Sequence, residues 1–169
     1  LYTWFDETTY KTDVNAENSF TVNGLSVMNS GPDSPVTAAP ANATVTVYDE
    51  NGNVAEALGT KTDEHGQFKV TFPKDGKYTI EVSGTCTYTC SGYGGSGMNT
   101  YKDATVVPTR CTVLVGTARG TLGDINGDGV IDLTDAAQLL DKVTAGEKVD
   151  TYLGDINGDG TVDLMDVAD

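Results

Sequence analysis

The 169-residue chain is short of most groups from which active sites are built. It has one histidine, His65, which rules out a multi-histidine metal centre, and no Ser-His-Asp set is visible around it. Flanked by Glu64 and Gly66, His65 reads as an exposed turn residue. Three cysteines, Cys86, Cys90 and Cys111, allow one disulfide at most and leave a thiol over. Only 10 basic side chains stand against 25 acidic ones, a net charge of −15. So little positive charge excludes the basic stripe that nucleic acid requires. It also argues against an anionic membrane surface. No apolar run approaches the roughly 18 residues of a membrane helix, so no membrane insertion is expected. No catalytic residue emerges from the pattern, and the chain reads as a non-enzyme. It opens at Leu1 without Met or a signal-like segment, as expected of a piece of a longer, processed protein.

The acid that is present is unevenly spread. Residues 1–119 carry 13 acidic and 8 basic side chains; residues 120–169 carry 12 and 2. Eleven of the last twelve acids are Asp, a poor helix former, which points to cation-binding loops rather than a solvated helix face.

Residues 1–118 read as an all-β sandwich. Ala43–Asp49 alternates small or polar with β-branched residues and runs into the turn signal Asn51-Gly52. Gln67–Phe72 and Lys77–Val82 flank the turn Pro73-Lys74-Asp75-Gly76. Ser19–Val22 and Tyr2–Phe5 add strands at the front. Ala104–Val107 and Cys111–Val115 read as one final strand broken at Pro108. Gly92–Gly97 matches G-x-G-x-x-G, but it opens no helix and reads as a hairpin loop.

Residues 119–169 form a separate unit. Gly123–Asp135 (GDINGDGVIDLTD) recurs as Gly154–Asp166 (GDINGDGTVDLMD), 31 residues later, with ten of thirteen positions identical. Leu133, Ala136, Ala137, Leu140 and Val143 fall at helical spacing, and Gly146 supplies a C-cap. Each repeat holds a 12-residue loop of EF-hand layout. In the first, Asp124, Asn126, Asp128, Val130, Asp132 and Asp135 stand at positions 1, 3, 5, 7, 9 and 12. In the second, the same positions are Asp155, Asn157, Asp159, Thr161, Asp163 and Asp166. Side chains at 1, 3 and 5 turn inward, Gly at 6 permits the bend, position 7 offers its carbonyl, and position 12 closes the sphere. Oxygen-only ligands suit a hard cation, so two Ca2+ sites are expected. Asp replaces the usual Glu at position 12, which requires a tighter loop.

The duplicated G-D-I-N-G-D-G-x-(I/V)-D-L-x-D resembles a type I-like dockerin over residues 121–169. The resemblance implies a small α-helical EF-hand-like domain that binds a cohesin domain of a scaffoldin or surface anchor protein in a calcium-dependent way. It assigns the cohesin contact to Leu133, Thr134, Leu164 and Met165 at loop positions 10 and 11, with Leu140 and Asp141 further along the helix. It places the protein outside the cell, associated with a bacterial surface, and leaves polysaccharide to be reached through the parent protein. The sequence stops at Asp169, three residues past the second loop, so the second repeat's helix is expected to be almost absent.

Thr44–Gly84, with its T-x-x-x-G-x-F-x-V-x-F phrase followed by G-x-Y-T-I-x-V-x-G, resembles the Ig-like or prealbumin-like accessory modules of bacterial secreted proteins. That resemblance implies a spacer and no catalysis. Antiparallel pairing of Lys77–Tyr88 with Ala104–Val115 would bring Cys86 or Cys90 near Cys111. A Cys86–Cys111 bridge is the favoured pairing, and three reduced thiols are the alternative. Tyr2, Trp4, Phe5 and Tyr10 form a front aromatic cluster. It reads as core or interface packing, or as the platform of a carbohydrate-binding module carrying a calcium-binding tether.

Overall fold

The computed structural model describes residues 1–26, 36–91 and 97–168. The chain divides into two compact units, Leu1–Ala118 and Arg119–Asp169.

The first unit is a β-sandwich. Its strands are β1 (Tyr2–Phe5), β2 (Thr9–Thr12), β3 (Glu17–Ser26), β4 (Val36–Thr37), β5 (Thr44–Tyr48), β6 (Thr60–Lys61), β7 (Gln67–Thr71), β8 (Gly76–Ser83), β9 (Thr85–Ser91), β10 (Met98–Thr105) and β11 (Thr109–Val115). One sheet is built on β3, which pairs with β1, β4 and β7. The other runs β2-β11-β8-β5-β6, and its β2 is parallel to β11. Period-two alternation sets the inward face. Tyr78, Ile80 and Val82 of β8 are buried, and Lys77, Thr79 and Glu81 are not. In register, Ile80 lies between Val47 of β5 and Cys111 of β11. Phe20, Val22, Phe68 and Val70 supply the opposing sheet's share of the same core.

The C-terminal part of this unit departs from expectation. Ala104–Val107 and Cys111–Val115 are not one strand. Pro108 cannot donate to a ladder, and the chain changes sheets across it. β10 pairs with β9 in a two-stranded hairpin, and β11 joins the five-stranded sheet. Gly84, at φ 82°, likewise ends β8 and lets β9 leave for the hairpin. This division separates the cysteines. Cys86 sits opposite Ala104 in the hairpin, whereas Cys111 sits opposite Ile80 in the main sheet. The favoured Cys86–Cys111 bridge is therefore absent, and both residues are buried free thiols. Burial pushes the Cys111 thiol up to about 12, so it is a core residue and not a reactive one. The Gly92–Ser96 part of the glycine-rich loop lies outside the described residues.

The second unit corrects the expectation of a small α-helical domain. Strands dominate the described chain, and this unit contains a single helix of real length, α1 (Leu133–Thr144). The other two are one-turn pieces, α2 (Thr151–Gly154) and α3 (Leu164–Ala168). The cause lies in the repeats. Each loop spends its residues on Asp, Asn and Gly, the poorest helix formers after Pro. Gly127, Gly129, Gly158 and Gly160 all adopt positive φ, which a helix cannot contain. Helix α1 forms where that composition ends. Asp132 caps it in a reciprocal box with Asp135. At its far end Gly146 (φ 70°) turns left-handed, Glu147 N donates to Lys142 O and Gly146 N to Val143 O, a Schellman closure. Among the described residues no helix is long and apolar enough to cross a membrane, which says nothing of β-barrels.

Candidate functional site

The two acidic loops are the densest concentration of chemistry in the chain. In the first, Asp124 and Asp135 are buried, at 6% and 2% exposure, although both are carboxylates. Backbone N–H groups satisfy them. Asp135 Oδ1 accepts from Ile125 N (2.9 Å) and Asn126 N (3.2 Å), and its Oδ2 accepts from Asp132 N (2.9 Å). Asp124 accepts from Gly127 N and Gly129 N, both at 3.0 Å. Asp128 takes Val130 N at 2.8 Å and the Asn126 amide at 3.2 Å. The side chains at positions 1, 5 and 12 thereby turn inward, and Asp124, Asp128 and Asp135 each place an oxygen within 4.8 Å of the others. This donor set is hard, anionic and oxygen-only, and it fits calcium. Asn126 at position 3 accepts from Asp128 N on its side-chain oxygen (3.1 Å). Asp132 at position 9 is spent on capping, accepting from Thr134 N (3.0 Å). Val130 is exposed at position 7.

The second loop has nearly the same sequence and a different interior. Asp166 repeats the closing role of Asp135, buried at 2% and accepting from Asn157 N (3.2 Å) and Asp163 N (2.8 Å). Asp155 accepts from Asp159 N and Gly160 N, and Asp163 caps Met165 N at 2.8 Å. Among the described residues, however, only the first loop gathers three carboxylates. The loops differ at positions 7, 8 and 11, and of these position 7 touches an acidic side chain in the second loop. Thr161 replaces Val130, and its hydroxyl donates to Asp159 Oδ1 (2.8 Å) alongside its own backbone N (2.9 Å). These two bonds hold the Asp159 carboxylate on Thr161, its own neighbour in the loop. They also hold the Asp159 carboxyl below the usual aspartate range.

The residues expected to meet a partner are exposed. Leu133 is 86% exposed and Met165 63%. Thr134, Leu140, Asp141 and Leu164 are exposed as well. Between the loops lies a mainly apolar cavity of about 460 Å³, with Ile125, Leu139, Ile156 and Val167 in its walls.

One feature escaped the sequence reading. The Arg119 guanidinium stacks on Tyr152 (4.1 Å to the ring centroid) and stands 3.7 Å from Asp150 Oδ1. Asp150 in turn caps Tyr152 N at 3.0 Å, and Gly123 N donates to Leu153 O at 2.8 Å. This clasp fastens the start of the first loop to α2. The available signal was that Arg119 is the only arginine of residues 119–169.

Comparison with protein-family models and with curated proteins finds no match.

The hydrogen bonds fix the sign of the acid response. The backbone N–H of Asp132 is the largest of several donors holding the Asp135 carboxyl below its ordinary range, and Asp159 is lowered likewise. A carboxyl lowered on folding stabilises the fold above its unfolded value and loses that contribution as pH falls through the folded one. The helical circular dichroism of α1 is accordingly expected to hold at pH 5. It is expected to fall away below about pH 4, where unfolded aspartates take up protons. A signal unchanged to pH 2 would contradict the role given to Asp135.

Proposed function

We propose that residues 119–169 form a calcium-dependent docking module that binds a cohesin domain of a scaffoldin or surface anchor. By docking, it tethers a secreted, cell-surface-associated bacterial protein, and residues 1–118 serve as spacer. The observation that carries this reading is the duplicated acidic loop, with Asp124, Asp128 and Asp135 converging in the first copy. Calcium, when bound, would supply the positive charge that lets these carboxylates coexist. Asp124, Asn126, Asp128, Val130, Asp132 and Asp135 would hold the first ion. Asp155, Asn157, Asp159, Thr161, Asp163 and Asp166 would hold the second.

The chain's own residues couple the ion to the partner. Asp135 is at once the closing residue of the first loop and the third residue of α1, so loop closure fixes the start of the helix. Leu133 and Thr134 project from that same first turn. Exposing Leu133 at 86% costs apolar hydration, a cost recovered when a partner covers it. Leu164 and Met165 repeat the arrangement at the second loop, with Met165 adaptable in shape.

The test is capture of the full chain by a panel of immobilised cohesin domains. At least one is expected to retain it in calcium and release it in chelator. Leu133→Asp combined with Leu164→Asp should weaken capture about tenfold or more. Calcium binding without capture by any cohesin would reject the docking role and leave a calcium-stiffened stalk.

A further inference from the structure

The first unit carries a cleft that the docking role does not use. It has a volume of about 210 Å³ and lies beside β1 and β3, with Trp4, Thr21, Asn23, Thr37 and His65 among its lining residues. Trp4 points outward because β1 alternates. Phe5 enters the core, while Tyr2 and Trp4 share the outer face at 55% and 40% exposure. An exposed tryptophan in a cleft is costly unless something covers it.

The chemistry of the walls selects the occupant. Among the described residues none of the lining is Lys, Arg, Asp or Glu. An anion would meet no Lys or Arg there, and the carboxylate beside the cleft, Asp6, is already engaged by Asn23 Nδ2. A purely apolar ligand would leave the Thr21 and Thr37 hydroxyls and Asn23 Oδ1 without a partner from it. The remaining class presents C–H groups on one face and hydroxyls on its edge. Asn23 is already oriented for such an edge. It stands opposite Trp4 in the β1–β3 register. Its Nδ2 donates to Asp6 Oδ1 (2.8 Å) and Trp4 O (3.5 Å). That fixes the amide plane and leaves Oδ1 to accept.

We propose that this cleft binds a neutral saccharide, with one pyranose ring stacked by its C–H face on the Trp4 indole and a ring hydroxyl donating to Asn23 Oδ1. The negative face of the indole attracts the weakly positive C–H hydrogens. Tyr2, two residues along the same strand, continues the aromatic surface about 7 Å further. The small volume suits one ring of a longer glycan lying across the sheet. The site is independent of the docking role and of calcium.

Trp4 is the only tryptophan of the chain, so its emission reports on this cleft alone. The full chain is titrated with neutral gluco-, xylo- and manno-oligosaccharides, with oligogalacturonate as the charged control. A saturable emission change is expected with at least one neutral oligosaccharide, none with oligogalacturonate, and no effect of chelator. By calorimetry, Trp4→Ala should weaken binding about tenfold or more, with Asn23→Ala weakening it in the same direction. Circular dichroism of both variants checks the fold. The proposal is overturned by a flat emission titration with every neutral glycan, by equal binding of oligogalacturonate, by undiminished binding of a folded Trp4→Ala variant, or by loss of binding in chelator.

Discussion

Stripping calcium from the full chain is expected to erase the helical signal of Arg119–Asp169 while the β signal of Leu1–Ala118 persists. Asp124, Asp128 and Asp135 converge in the first loop, and without an ion they face one another as like charges. The core of the second unit is small: among its described residues Leu139 is the one buried large apolar side chain. Under the proposed function, bound calcium would supply much of the stability that packing does not. By mass action, calcium at a hundredfold excess over its dissociation constant adds about 2.7 kcal/mol per site. Asp135→Asn keeps the shape of the closing side chain and removes its charge. It should lower affinity at the first loop by about 100-fold. Thr161→Val removes the hydroxyl that holds Asp159 and should raise affinity at the second. Spectra that coincide in calcium and chelator would sink the calcium role.

Ile80→Ala should produce the converse result. Ile80 is fully buried at the centre of the five-stranded sheet, between Val47 and Cys111. Truncating it leaves a cavity lined by rigid neighbours on two strands and is expected to cost about 3 kcal/mol. That corresponds to a drop in the melting temperature of the β signal of roughly 10 °C or more. Calcium affinity should not change, because the sandwich core contains none of the loop residues. Calorimetry with and without calcium separates the two effects. A melting temperature within a degree or two of the parent would show that this strand is not central to the core.

Much of the sandwich was legible because its strands alternate. The buried positions of β5, β7 and β8 are the β-branched and aromatic residues that period two selects. Strand β2 was not legible: its four residues, TYKT, carry no pattern, and only its parallel pairing with β11 makes it a strand. β9 was hidden differently. Cys86, Tyr88 and Cys90 alternate inward as clearly as the residues of β8, but Gly84 between the two runs is easily read through. The turn at Gly84 is what sends the cysteines to different sheets.

The turns of the two loops were legible, since Asp, Asn and Gly are turn formers and the glycines take positive φ. The helical domain was not there to be read. A motif that names ligands says nothing about how many helical residues flank them, and composition favoured loop over helix throughout. A match of ten in thirteen also conceals the Thr161 hydroxyl, which bonds Asp159 where Val130 has no donor on its side chain.

The parallel pairing of β2 with β11 has a mechanical consequence. β11 is the last strand before the second unit, and it lies between β2 and β8. Tension arriving from the C-terminal side enters along its length. It must slide β11 past two neighbours at once, so the cross-strand bonds share the load and yield together. A terminal hairpin pulled at its open end would instead peel one bond at a time. The exit from β11 is also pinned, since Thr117 Oγ1 donates to Asp75 Oδ2 at 3.0 Å. A chain anchored through residues 119–169 would thus take drag in shear, the direction in which a β-ladder is hardest to break.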